Sequence, residues 1–154
     1  MFHRFQYEAE FYPGLDRLPL HVRMKFDLTG IKLSLKQWLA FSFEERKVVC
    51  HLPAESEEEL EAFVAYMNFL CRRYSGSAAR TFPPVTPALW DTPGHIPEPV
   101  VKNSRDSGQA ITLEEWTHWQ FHQRYALYKT AVSKNEPEMF LAVLAELRQR
   151  ETDS

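Results

Sequence analysis

One pattern occurs twice in the chain, and this repetition restricts the possible folds more than any other feature. The first copy reads GIKLSLKQW from Gly30 to Trp38, and the second reads GQAITLEEW from Gly108 to Trp116. Further pairs recur at the same constant offset: Leu35 with Leu113, Phe43 with Phe121, and Arg46 with Arg124. We therefore expect two copies of one structural unit.

The repeat also predicts how the chain is organised. We expect an extended N-terminal arm over residues 1–16, a first helical unit over 17–74, a connector over 75–95 and a second helical unit over 96–148. The connector is rich in proline, which disfavours regular structure. It also carries aromatic residues, unlike a solvated linker. We expect both units to share one core in a single domain, 1–154.

Helix signals dominate and predict an all-α fold. Ser42 and Ser56 are each followed at the third position by glutamate, which is the spacing of a capping box. Apolar residues between 60 and 74 recur at helical spacing and form one continuous stripe. Residues 5–28 alternate between apolar and polar side chains, so an α+β fold with an N-terminal β-hairpin is the alternative. We favour a helix over 17–29 because Gly30 follows it as a C-cap glycine would.

Composition and charge exclude several classes of protein. The 154 residues carry a net charge of -3, which provides no general attraction for nucleic acid or an anionic membrane. Two cysteines are too few for a disulfide framework, and no apolar run is long enough to suggest a membrane span. The N-terminus has charges where a signal peptide needs apolar residues. These features predict a soluble, cytoplasmic protein.

The candidates for chemistry are few. His118 and His122 are four residues apart, a spacing that places two metal ligands on one face of a helix, but a third ligand is missing. Cys50 and His51 are adjacent and therefore point to different faces of a helix, so Cys50 is interpreted as a buried structural residue. No phosphate-binding loop or nucleophile elbow occurs. We expect no catalytic residues, no metal and no cofactor.

Basic residues crowd the first copy of the repeat. Arg23, Lys25, Lys32 and Lys36 lie in the first unit, whereas Ala110 and Glu114 occupy the positions of Lys32 and Lys36 in the second copy. Such a patch is suited to an acidic protein surface or an anionic cofactor. The protein surface is the better match because the aromatic stacking pattern and the glycine loop of nucleotide sites are missing.

Several segments together resemble one known family. They are FQYEAEF from Phe5, VRMKFD from Val22, GIKL from Gly30, ITLEEW from Ile111 and RYAL from Arg124. Over about residues 4 to 147, the chain is similar to the nitrate reductase-associated proteins. These are small bacterial proteins whose genes tend to lie near those for assimilatory nitrate reductase and molybdopterin cofactor synthesis. The family has no assigned catalytic residues, so the resemblance transfers none.

The resemblance and the basic patch lead to one main functional hypothesis. We expect a non-catalytic accessory or interaction protein of nitrate assimilation, with nitrate reductase or molybdenum cofactor proteins as partners. The alternative is a small-molecule or anionic-cofactor binding module that uses the basic patch of the first unit.

Overall fold

The computed structural model of the chain describes residues 2–85, 88–92, 94–133 and 137–153, and within these ranges the protein is all-α. The first four helices are α1 (Leu20–Thr29), α2 (Leu35–Ala40), α3 (Phe43–His51) and α4 (Glu57–Ser75). The other four are α5 (Glu98–Asp106), α6 (Leu113–His118), α7 (Phe121–Val132) and α8 (Pro137–Asp153). Two very short strands, β1 (Ile31–Lys32) and β2 (Arg80–Thr81), pair in antiparallel fashion.

The contacts divide the chain into two compact units. One contains residues 1–4 and 8–86, and the other contains residues 5–7 and 87–154. The helix α6 begins 78 residues after α2, and α7 begins 78 residues after α3. The internal duplication and the shared core stay predictions. Superposition of the two helical units would test the duplication.

The N-terminal segment differs from the extended arm that the alternation predicted. It forms a 3-10 helix at Gln6–Glu8 and then a series of turns as far as Leu15. The reason is the burial of Glu8, whose carboxylate accepts hydrogen bonds from the Tyr12 hydroxyl at 2.7 Å and from the Leu20 amide at 3.0 Å. Glu8 thereby caps α1, because the N-cap residue, Pro19, has no polar side chain. The β-hairpin alternative is thus wrong.

The first unit packs around the apolar face of α4. Phe63, Met67, Leu70 and Cys71 are buried along this face, as the helical stripe predicted. The N-caps predicted at Ser42 and Ser56 are also confirmed, and Ser34 is a third: each hydroxyl accepts from the backbone amide three residues later. Trp38 is fully buried, and its indole nitrogen donates to the Leu15 carbonyl at 2.8 Å. These contacts fix α2 and the turn at Leu15 to the core.

The second unit has its own buried aromatic cluster. Trp90, from the connector, is fully buried and lies 4.8 Å from Tyr125 between ring centroids. The connector therefore packs against a helix, as its aromatic content predicted, while its Pro87 and Pro93 lie outside the described residues. Arg124 donates to the Trp90 carbonyl at 3.1 Å. Trp116 is also buried, at the position equivalent to Trp38.

Candidate functional site

The strand pair places two cations of the first unit side by side. Lys32 in β1 lies directly opposite Arg80 in β2, and both side chains are exposed. Residues directly opposite in an antiparallel pair project to the same side, with Cβ atoms about 5 Å apart. Lys36 is exposed in the first turn of α2, four residues beyond Lys32. We name Lys32, Lys36 and Arg80 the basic edge.

The backbone around Gly30 explains how this pair forms. Gly30 ends α1 with a φ of 78°, in the left-handed region that favours glycine. The Phe82 amide donates to the Gly30 carbonyl at 2.8 Å, so the chain of β2 passes very close to this residue. A Cβ atom at position 30 would lie 2.4 Å from the Phe82 carbonyl oxygen. Glycine is therefore needed here for both the turn and the close approach.

The structure removes Lys25 from the predicted binding patch. Lys25 is fully buried on α1, and its ammonium donates to three carbonyl oxygens, those of Val49 at 2.8 Å, Cys50 at 3.0 Å and Leu52 at 2.7 Å. These carbonyls lie at the C-terminal end of α3, where a helix leaves its last carbonyls unpaired and carries partial negative charge. The prediction that Lys25 contacts a partner is wrong, because its charge caps a helix.

The other basic residues have different surroundings. Arg23 is half-buried on α1, whereas Lys32 and Lys36 are exposed. Among the residues that the structure describes, no ion pair involves Lys32, Lys36 or Arg80. Their charges therefore face solvent. Arg80 was missed by sequence reasoning, since it lies 48 residues from Lys32 and no local pattern links the two.

An open cavity of about 190 Å³ lies beside Lys36. Its lining consists mostly of apolar surface from α2 and the end of α4, contributed by Ala40, Phe41, Cys71 and Tyr74. The Tyr74 hydroxyl donates to the Glu45 carboxylate, and this hydrogen bond raises the pKa of Tyr74. The tyrosine ring is thereby held in place as one wall. We name this feature the α2–α4 cavity.

The candidate metal pair is not supported by the geometry. His118 is the last residue of α6 and is exposed, whereas His122 is buried in the first turn of α7. The helix that their spacing implied is interrupted at Trp119 and Gln120, so the two imidazoles do not share a helical face. Across the described part of the chain, no three potential ligand residues come together in a group able to hold a metal.

Both cysteines are free and buried, as predicted for Cys50. Burial raises the pKa of Cys50 to about 12, although the positive charge of Lys25 opposes the shift. Burial also raises the pKa of Cys71. Both are therefore neutral thiols near neutral pH, and neither has the thiolate character that a cysteine nucleophile requires.

These features define a class: an all-α protein with an exposed basic edge and an adjacent apolar cavity. The model of the family described as conserved nitrate reductase-associated protein matches residues 4–147, so the chain belongs to that family. No curated protein and no solved structure gives a match. Within the described residues, no helix combines the length and the apolar character needed to cross a membrane.

Proposed function

We propose that this protein is a non-catalytic accessory protein of nitrate assimilation that binds an acidic surface of nitrate reductase, or of a protein that delivers its molybdenum cofactor. The family description provides the association with nitrate reductase. The observation that carries the proposal is the cross-strand pair of Lys32 and Arg80. Like charges directly opposite in a strand pair destabilise it, so an acidic partner would relieve a repulsion that the free protein contains.

The α2–α4 cavity supplies the apolar part of the proposed interface. Strong protein interfaces depend on a few apolar side chains that fill pockets, surrounded by charged contacts that orient the partner. Leu35 and Leu39 lie one turn apart on α2 and are 48% and 45% exposed, which adds apolar surface close to Lys36. The expected partner segment is therefore acidic, with one apolar side chain that enters the cavity.

The charge contribution is tested with the double variant Lys32→Glu, Lys36→Glu. Its matched control is Lys102→Glu, Arg105→Glu, which makes the same change in net charge at two exposed positions of α5. The assay is capture of nitrate reductase and molybdenum cofactor proteins by the purified variants at low and high salt. We expect the first variant to lose capture at low salt and the control to retain it, because electrostatic attraction between surfaces is screened by salt.

A second variant tests the apolar anchor without a change in charge. Ala40 is exposed at the rim of the α2–α4 cavity, so Ala40→Phe should fill the cavity and weaken capture. Stability measurements separate binding from folding. Lys32→Glu alone should stabilise the protein by about 0.2 to 1 kcal/mol, because it replaces a like-charge pair with Arg80 by an opposite-charge pair.

Two results would contradict the proposal. Capture that is the same for the Lys32→Glu, Lys36→Glu variant and for the unaltered protein, at low and high salt alike, would place the interface elsewhere. Turnover of a small substrate by the isolated protein would contradict the non-catalytic role. The alternative of an anionic cofactor on the same patch receives less support, because Lys25 is occupied inside the first unit.

A further inference from the structure

The second unit carries an open cavity of about 290 Å³ between the turn that follows α5 and one side of α8. Its lining residues are Ser107, Gln109, Leu141, Leu144, Ala145 and Arg148. Leu144 is buried, but Leu141 is 42% exposed and Ala145 is exposed as well, so an apolar strip of α8 faces solvent. We name this feature the α8 groove.

The first unit shows what fills the corresponding place. By the sequence repeat, the turn at Gly108 corresponds to the turn at Gly30, and Gln109 corresponds to Ile31. In the first unit, β2 pairs with Ile31, and the Phe82 amide donates to the Gly30 carbonyl at 2.8 Å. The backbone that follows the Gly30 turn is thus covered by a strand.

The α8 side of the groove also has a counterpart. When Phe140 is aligned with Phe63, the buried ring of α4, Ala145 falls at the position of Asn68. The Asn68 side chain accepts a hydrogen bond from the Ala79 amide at 3.0 Å, and Ala79 packs against the core of the first unit just before β2 begins. On this alignment, Ala79 and β2 fill the space that the second unit leaves open as the α8 groove.

The two glycines show the same difference. Gly30 and Gly108 have nearly the same left-handed conformation, with φ values of 78° and 73°. A Cβ atom at Gly30 would lie 2.4 Å from the Phe82 carbonyl oxygen, whereas one at Gly108 would meet no described atom within 4 Å beyond its chain neighbours. Gly30 is buried and Gly108 is exposed. The same turn is therefore covered in the first unit and open in the second.

The backbone at the open turn lacks the partner that β2 provides in the first unit. Among the residues that the structure describes, no strand pairs with residues 109–110, and no backbone amide donates to the Gly108 carbonyl. Unpaired amides and carbonyls along an extended backbone are a template for pairing with another chain. The α8 groove therefore offers a free backbone edge beside an apolar surface.

Arg148 of α8 contacts the same stretch of backbone. Its guanidinium donates to the Ala110 carbonyl at 2.9 Å and to the Gln109 carbonyl at 3.3 Å, and the Glu115 carboxylate holds it in an ion pair at 3.0 Å. A carbonyl oxygen has two lone pairs, so each of these carbonyls can accept a second hydrogen bond. An incoming strand can therefore pair here while Arg148 stays paired with Glu115.

We propose that the α8 groove binds an extended segment of another protein, which adds as a strand beside residues 108–110 and places a small apolar side chain against α8. In this mode of recognition, main-chain hydrogen bonds provide the affinity, and pockets for alternate side chains provide the specificity. The chemistry of the occupant follows from residues 79–82, which cover the corresponding turn: alanine faces the helix, and Phe82 supplies the amide that donates to the glycine carbonyl. No residue of the basic edge lines the groove, so this binding does not depend on the proposed function.

The test uses the segment of this chain that covers the corresponding turn. A synthetic peptide with the sequence SAARTFPP, residues 77–84, is added to the whole isotope-labelled protein, and binding is measured by two-dimensional NMR. The matched control peptide carries an N-methyl group on its phenylalanine amide, which removes the hydrogen that would be donated to the Gly108 carbonyl. We expect the unmodified peptide to shift the resonances of Gln109, Ala110 and Ala145. It should bind about tenfold or more tightly than the control, because the control loses a main-chain hydrogen bond and the space for it.

Variants assign the site. Ala145→Phe fills the groove and should weaken peptide binding by about tenfold or more, because the apolar side chain of the peptide loses its place. Gln149→Phe puts the same ring at an exposed position of α8 outside the groove lining, and it should leave binding unchanged. Sedimentation velocity of the unaltered protein and of both variants tests the other occupant, a second copy of this chain.

Several outcomes would overturn the proposal. One is that the peptide does not bind at about 1 mM, and another is that the N-methyl peptide binds equally well. Shifts confined to residues around Gly30 would also overturn it, because the peptide would then exchange with β2. Self-association that Ala145→Phe abolishes and Gln149→Phe retains would assign the groove to a second copy instead. If Ala145→Phe fails to fold, the comparison of the two peptides on the unaltered protein still decides the matter.

Discussion

Lys25 offers the sharpest test of the energetics of this fold. Its ammonium is fully buried and satisfies three carbonyl oxygens at the end of α3. In the variant Lys25→Met, a side chain of similar length fills the space but donates no hydrogen bond. Each buried carbonyl left without a partner costs about 1 kcal/mol at the low end of the measured range. We therefore expect Lys25→Met to lower the free energy of unfolding at pH 7 by about 3 kcal/mol.

The contribution of Lys25 to the free energy of unfolding should also depend on pH. Burial lowers the pKa of Lys25 from 10.5 to about 8, although a charged Cys50 thiolate would oppose this shift. Between these two pH values, the unfolded chain holds a proton on Lys25 that the folded chain has released. Stability rises with pH wherever the unfolded state binds more protons. The contribution of Lys25 should therefore increase as the pH rises from about 8 to about 10.5, by about 3 kcal/mol in total.

The assay is urea-induced unfolding of both proteins at a series of pH values from neutral to alkaline. Tyr66 and Tyr74, whose pKa values are raised, are present in both proteins, so the difference between the two isolates Lys25. Lys102→Met, at an exposed position of α5, serves as the control and should change stability by less than about 0.5 kcal/mol. If the difference in free energy of unfolding between the unaltered protein and Lys25→Met stays constant with pH, the carbonyls hold the pKa of Lys25 near its ordinary value. A cost at pH 7 below about 0.5 kcal/mol would refute its role as a helix cap.

Two further predictions concern the repeated pattern. Trp38→Ala and Trp116→Ala should each lower the free energy of unfolding by about 3 to 5 kcal/mol, because both rings are buried. Chemical unfolding measures this change, and a change within about 0.5 kcal/mol at either position would contradict a core role for that ring. Gly30→Ala should cost clearly more than Gly108→Ala, since both glycines have positive φ but only a Cβ at position 30 would meet Phe82. Equal melting temperatures for the two glycine variants would count against the close approach.

Local signals in the sequence determined most of the helical framework. Ser34, Ser42 and Ser56 begin helices because their hydroxyls accept backbone amide hydrogen bonds a few residues away, a contact that requires no tertiary partner. Gly30 ends α1 for an equally local reason, its left-handed conformation. Thr112 starts α6 in the same way, because its hydroxyl accepts a hydrogen bond from the Glu115 amide.

Only the tertiary structure decided the role of each charged side chain. Lys25 and Lys32 have the same chemistry in the sequence, yet one is buried against the end of α3 and the other is exposed on β1. In the sequence, Glu8 lies at a polar position of a segment predicted to be extended. In the structure it caps α1 by accepting from the amide of Leu20, twelve residues away. Arg80 joins Lys32 only through strand pairing. Sequence periodicity cannot show such contacts, because burial of a charge depends on partners that folding brings together from distant parts of the chain.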